Sequence, residues 1–291
     1  METPTRSRLD ALRQVTAAVD RWRGDDRATT ADELVAEEPL EVRARARVDA
    51  RASVETIAVI MRTPGHDHEL AAGFLFSEGL LRARDELAEL VPGADPDGLP
   101  SDNVMDVVAA PGVDIVARMR EAGYSRQFAV NASCGVCGKN SVAAACATLP
   151  PLPLGGLTVD HDILYGLPDR LRAEQRVFAH TGGLHAAGIF DRAGNLLALR
   201  EDVGRHNAVD KLVGRALLDG TLPMDERILL VSGRLSFEIV LKALAAGIPI
   251  VAAVSAPSSL AVDMAQAGGV TLTGFLRGAT VNVYTHPERV H

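Results

Sequence analysis

Cysteine, aromatic side chains and positive charge are all scarce in this chain of 291 residues. Three cysteines cannot cross-link a fold of this length, so a disulfide-framed secreted domain is excluded. Aromatics make up only 4% of the residues, so the core must be built from Ala, Val, Leu and Ile. The net charge of −8 argues against nonspecific nucleic-acid binding, which needs a basic surface. It leaves room for a local basic pocket. No uninterrupted apolar run reaches the ~18 residues that a membrane-spanning helix needs. The opening segment METPTRSRLDALRQV lacks the apolar stretch of a signal peptide. The expected compartment is the cytoplasm, where thiols stay reduced.

A hydrophobic content of 47% against 23% charged residues describes a globular chain, long enough for one large domain or two ordinary ones. Residues 1–36 read as a polar arm, loosely held, with Trp22 as its packing anchor. Residues 37–130 read as a smaller α+β part. LEVRARARVD and VETIAVIMR alternate as strands, and HDHELAAGFLFSEGLLR has the spacing of a helix. His66 and His68 at its start read as solvated. PGADPDGLPSDN reads as a turn-rich loop, and NVMDVVAAPGVDIVARM as a hairpin about Ala-Pro-Gly. Residues 131–141 carry SCGVCGKN and read as a mobile loop.

From 142 onward the grammar is clearer. TVDHDILYGLPDRLRAEQRVF is an amphipathic helix that Pro168 can kink. RILLVSG, IPIVAAVSA and VTLTGFL are buried strands separated by the helices SFEIVLKALAAG and SSLAVDMAQAGG. That alternation predicts an α/β fold with a parallel sheet, in which ligands bind at the carboxyl ends of the strands. Those ends carry VSGR, VSAPSS and GFLRG.

Four stretches carry chemistry. In CGVCGK, Cys134 and Cys137 form a CxxC with three readings. A tetrahedral zinc site needs two further ligands. Cys146 reads as a buried small hydrophobe, and His180 and His185 follow Cys137 by more than 40 residues. A redox pair normally opens the long helix of a small βαβ domain. The third reading is a reactive thiolate, with Lys139 and a helix start nearby to lower a thiol pKa. HTGGLHAAGIF places two glycines before His185, as a tight turn or a close backbone approach. EDVGRHNAVDK gathers polar groups, including Arg205 and His206, at a helix start that can attract phosphate or carboxylate. Asp210 and Lys211 read there as a solvated pair. In GFLRGATVNVYTH, Arg277 and neighbouring amides can hold a phosphate and Phe275 can stack on a base.

These stretches, in this order, with EEPLEVRARA and HELAAGFLFSEGLL upstream, resemble the FdhD family of sulfur carriers required for formate dehydrogenase activity. The resemblance covers about residues 37–289. It implies a mixed sheet flanked by helices with a cytidine deaminase-like core, and a homodimer. It further implies that sulfur is accepted as a persulfide from a cysteine desulfurase. The sulfur then passes to the molybdenum bis(guanine dinucleotide) cofactor of formate dehydrogenase. By motif position Cys134 matches the persulfide carrier and Cys137 its partner. Phe275, Leu276, Arg277, Gly278, Ala279 and Thr280 match the cofactor-binding segment, and His185, Arg205 and His206 join that site as candidates. No upstream His-x-Glu is present, which fits loss of zinc chemistry, so no zinc is expected. The competing functions are a zinc-dependent deaminase and a passive cofactor-binding chaperone.

Overall fold

The structure is a computed structural model, and it describes residues 12–48, 51–122 and 149–291. Cys134, Cys137 and Cys146 lie outside the described residues.

The largest unit is a six-stranded sheet in the order β12-β11-β10-β9-β7-β8. Its strands are β7 (His185–Phe190), β8 (Leu196–Asp202), β9 (Ile228–Val231), β10 (Ile250–Ala253), β11 (Thr271–Arg277) and β12 (Thr280–Val283). β9, β10 and β11 run parallel, while β7, β8 and β12 join antiparallel. Every residue of β9 (ILLV) and β10 (IVAA) is buried. Such continuous apolar runs belong to central strands covered on both faces. One face carries α5 (Arg205–Leu218), α6 (Phe237–Ala245) and α7 (Ser259–Gly268) over Leu229, Val231, Val251, Ala253 and Leu272. The other face packs Ile228, Leu230, Ile250 and Ala252 under α3 (His161–Glu174). Pro168 lies inside α3 without ending it, and a short helix α4 (Arg176–Thr181) follows Gln175.

The smaller unit is a four-stranded sheet in the order β4-β3-β6-β5. Its strands are β3 (Glu38–Val48), β4 (Arg51–Arg62), β5 (Leu87–Ala94) and β6 (Pro100–Ala109). It packs Leu40, Val42, Ile57, Ile60, Met105 and Val107 against α1 (Asp67–Ser77) and α2 (Ile115–Glu121).

Several expectations change. The hairpin about Ala-Pro-Gly is replaced by helix α2, because Asp114 caps its start and accepts a hydrogen bond from the Ala117 amide at 2.8 Å. β6 instead pairs with β5, part of which had read as turn. Pro92 is tolerated there because β5 is an edge strand with an irregular register. The N-terminal segment forms an antiparallel ribbon of β1 (Gln14–Arg23) and β2 (Asp26–Val35). Trp22 does not anchor it. The indole is 62% exposed, with the Arg27 guanidinium 5.9 Å from its ring centre.

The two units lock through polar groups. Asp210 and Lys211 are buried, not solvated, and each finds its own partner. Lys211 Nζ lies 2.6 Å from Asp202 and donates to the Thr63 carbonyl at 2.9 Å. Asp210 accepts from Lys242 Nζ at 2.7 and 2.9 Å and from the Ser77 hydroxyl at 2.9 Å. Arg200 makes a two-toothed bond to Glu69 at 2.5 and 2.6 Å. Between these pairs α1 and α5 touch backbone to backbone. A Cβ on Gly73 would overlap the Asp210 carbonyl, and one on Gly214 would overlap the Glu69 carbonyl. Glycine at both positions permits the approach.

Candidate functional site

The carboxyl ends of β9, β10 and β11 open on one edge of the large sheet, and the starts of α5, α6 and α7 arrive at the same edge. The first two loops are stitched together. The Leu235 amide donates to the Ala256 carbonyl at 3.1 Å, and the Ser258 amide donates to the Leu235 carbonyl at 2.9 Å. Ser258 caps α7 by accepting from the Ala261 amide at 3.2 Å.

β7 runs against β9, so its first residue, His185, comes to this edge beside Gly233. The Ser232 amide donates to the Ala186 carbonyl, and the Ser232 hydroxyl accepts from the Ala186 amide, both at 2.9 Å. A Cβ on Gly233 would stand 3.3 Å from His185 Nδ1 and 3.5 Å from Arg205 Cδ. His185, Gly233 and Arg205 therefore form one continuous surface. Burial, helped by the Arg205 charge, lowers the His185 pKa from its ordinary value and keeps the ring neutral near pH 7. Arg205 Nε is buried with no hydrogen-bond partner.

His206 turns the other way. Its ring is buried, with Nε2 2.9 Å from the Ser236 hydroxyl and 2.9 Å from Glu238. It ties the start of α5 to the start of α6. Much of the polar set before α5 is likewise internal. Asp202 accepts from the Gly204 amide, from Asn207 at 2.8 Å and from the Thr63 amide at 3.2 Å. Glu201 accepts from the Val177 and Phe178 amides at the start of α4.

The segment from Phe275 to Thr280 spans the end of β11, the Gly278–Ala279 turn and the start of β12. It is separated from the His185–Arg205 surface by the β10 loop. Phe275 is 41% exposed and sits at φ 53°, while its amide donates to the Ser255 carbonyl at 3.1 Å. A bulky side chain in left-handed backbone is uncommon and is held by its surroundings. Leu276 points into the core beneath the sheet, so only its backbone can reach a ligand. Arg277 is exposed, with Nε 3.4 Å from the Val254 carbonyl. Gly278, at φ 51°, and Ala279 make the turn, and the Thr280 hydroxyl donates to the Arg277 carbonyl at 2.8 Å. Among the described residues no three His, Cys, Asp or Glu side chains gather as a metal site.

Sequence reading did not find the partners of His206, because Ser236 and Glu238 lie about 30 residues away on another helix. Gly233 was legible within VSGR as the glycine following a buried strand.

This arrangement defines an α/β protein whose parallel-strand ends and helix starts meet at one edge of the large sheet, with Arg205 and Arg277 among them. The chain belongs to the FdhD/NarQ family, whose model matches residues 35–291. It is 52% identical over 272 residues to the sulfur carrier protein FdhD of Streptomyces avermitilis, with 90% of each chain covered. It is 46% identical over 273 residues to that of Mycobacterium tuberculosis, covering 91% of this chain and 94% of the other. A candidate formate dehydrogenase accessory protein from Desulfotalea psychrophila shares the fold. Its crystal structure matches with a TM-score of 0.68 at 24% identity, covering 96% of this chain and 99% of that one.

Proposed function

We propose that the protein is a sulfur carrier serving a formate dehydrogenase. It accepts a persulfide sulfur from a cysteine desulfurase on Cys134 and delivers it to the molybdenum bis(guanine dinucleotide) cofactor, its substrate. The observation that carries this reading is a CxxC joined, in a chain of the FdhD/NarQ family, to a strand-end surface with an unpaired arginine donor.

The Cys134 thiolate attacks the terminal sulfur of the donor persulfide. The donor S–S bond breaks and the donor cysteine leaves as thiolate, so Cys134 now carries the extra sulfur. For release, the Cys137 thiolate attacks Sγ of Cys134. A Cys134–Cys137 disulfide forms and the outer sulfur leaves as hydrosulfide, reduced by the two electrons that the cysteine pair gives up. The hydrosulfide replaces an oxygen ligand of the substrate, which departs as water. A cellular dithiol then reduces the disulfide.

The chain's own residues bind the substrate. Arg205 and the Gly233 loop take phosphate, neutral His185 donates or accepts beside them, and His206 holds the two helix starts in register. Arg277 with the turn amides of Gly278 and Ala279 takes a second anionic group, Phe275 offers its ring to a base, and Thr280 braces the turn. The strand order β8-β7-β9-β10-β11, with α5 after the hairpin, supports a core similar to cytidine deaminases. We further read the carrier as a cytoplasmic homodimer. Cys134→Ala should abolish activation of the client formate dehydrogenase in cells lacking the native protein. Retained activation would favour the passive chaperone instead.

A further inference from the structure

Ser236 occupies the position before α6 from which a serine ordinarily caps a helix, yet its hydroxyl makes no cap bond. Ser258, at the same position before α7, does cap. The Ser236 hydroxyl lies instead 2.9 Å from His206 Nε2, and the Glu238 carboxylate, in the first turn of α6, stands 2.9 Å from the same nitrogen. Two groups at the start of one helix are thus directed at a single ring atom on another, and a local rule is set aside to do it. Departures of that kind collect at functional sites.

The chemistry at that nitrogen is definite. An ionised carboxylate only accepts hydrogen bonds, so Nε2 carries the proton, and one tautomer of the neutral ring is selected. The Glu238 side chain is only 12% exposed, and it stands one helical turn before Lys242, which bonds Asp210 at the junction of the two units. Burial works against the Lys242 charge, and the carboxylates of Asp210, Glu78 and Glu238 raise its pKa. The strand-end surface begins at the neighbouring residues: Arg205 directly precedes His206, and Gly233 precedes Ser236 by three positions. After burial and the Arg205 charge, the His206 charge also lowers the His185 pKa, so the two rings lie close together.

We propose that Glu238 is a positioning residue for sulfur delivery: it holds the proton of His206 on Nε2 and, through that ring, sets Arg205 and the Gly233 loop toward the substrate. Ser236 is the second acceptor of the same proton. The inference rests on the carrier reading above and adds to it a residue that acts through another.

The test compares the native chain with Glu238→Gln, His206→Gln, the double variant and Cys134→Ala, by the activity of the client formate dehydrogenase in cells lacking the native protein. Loading of Cys134 by a cysteine desulfurase and thermal melting are measured on the same proteins after purification. Groups that orient a ligating imidazole are worth about 10–100-fold in activity or affinity. Glu238→Gln should therefore lower client activity about tenfold or more while Cys134 still loads and the chain still melts cooperatively. In a His206→Gln background it should cost nothing further. Proton–nitrogen correlation spectra of the neutral His206 ring should show the Nε2-protonated tautomer in the native chain. Glu238→Gln, whose amide can donate as well as accept, should admit the other tautomer. Native-like client activity in Glu238→Gln, a full further loss in the His206→Gln background, or an Nδ1-protonated ring in the native chain would overturn the positioning role. So would loss of Cys134 loading and of cooperative melting together in Glu238→Gln, which would assign Glu238 to the fold alone. Client activity retained in Cys134→Ala would overturn the carrier reading, and this inference with it.

Discussion

His66 shows how much a single side chain depends on its surroundings. It stands at the start of α1 in left-handed backbone, φ 60°, and is more than half buried. Burial, and then the charges of Arg200, Arg13, Lys211 and Arg215, push its pKa down to about 3. The Glu69 carboxylate stands 3.4 Å from its Nδ1. The unfolded chain protonates this ring near pH 6.5. Between that pH and about 3 the unfolded state binds a proton that the folded state refuses. The stability due to neutral His66 is therefore complete above about pH 6.5 and is lost as pH falls toward the folded value. His66→Asn tolerates the backbone and removes the titration. Urea midpoints should drop less for this variant than for the native protein between about pH 7.5 and pH 5. Equal drops would contradict the account. A solvated reading of His66 followed from the sequence because the four cations around it come from three distant segments.

At the scale of elements, the junction of the two units is the sharpest test. Lys211 is fully buried, and burial lowers its pKa against the pull of Asp202. Removing one partner of a buried pair strands the other charge, at a cost of about 3–5 kcal/mol. Lys211→Met should lower the unfolding free energy by about that amount, and adding Asp202→Asn should recover part of it. A loss below about 1 kcal/mol in urea titration would contradict the pairing. Gly73→Ala sets two effects against each other. Alanine favours a helix by about 1 kcal/mol, but overpacking costs about 1–3 kcal/mol or more when the neighbour cannot move. The neighbour here is the Asp210 carbonyl, fixed within α5, so the melting temperature should fall. A rise would contradict the close crossing.

Elements were legible where period and length agreed. The strands β9, β10 and β11 and the helices α1, α6 and α7 follow directly from apolar runs and small-residue stops. Val113, Ile115 and Ala117 alternate like a strand, yet Asp114 caps a helix there, so local capping outweighed a short pattern. β5 was hidden by Pro92. The polar run before α5 was legible as unusual but not as divided. Asp202, Asn207 and Lys211 serve the junction while Arg205 lies with His185 and Gly233, and only the distant partners of Asn207 and Lys211, the Met61 and Thr63 carbonyls, separate these roles.

At the scale of the whole molecule, a chain of net charge −8 places Arg205 and Arg277 at the strand ends, and under the proposed function local geometry and not net charge sets what binds there. The family match begins at Val35, the last residue of β2, so the exposed ribbon with Trp22 precedes it. The small unit seats α1 against α5 and so supports the helix whose first residue, Arg205, lies beside Gly233 at the strand ends. The central claim is that sulfur travels on Cys134. The most direct measurement is intact mass with peptide mapping, after anaerobic incubation with a cysteine desulfurase and cysteine and then alkylation. The account predicts one or more added sulfur atoms on the peptide containing Cys134, absent in Cys134→Ala. Both thiols alkylated without added sulfur, with a desulfurase shown to carry its own persulfide, would contradict it.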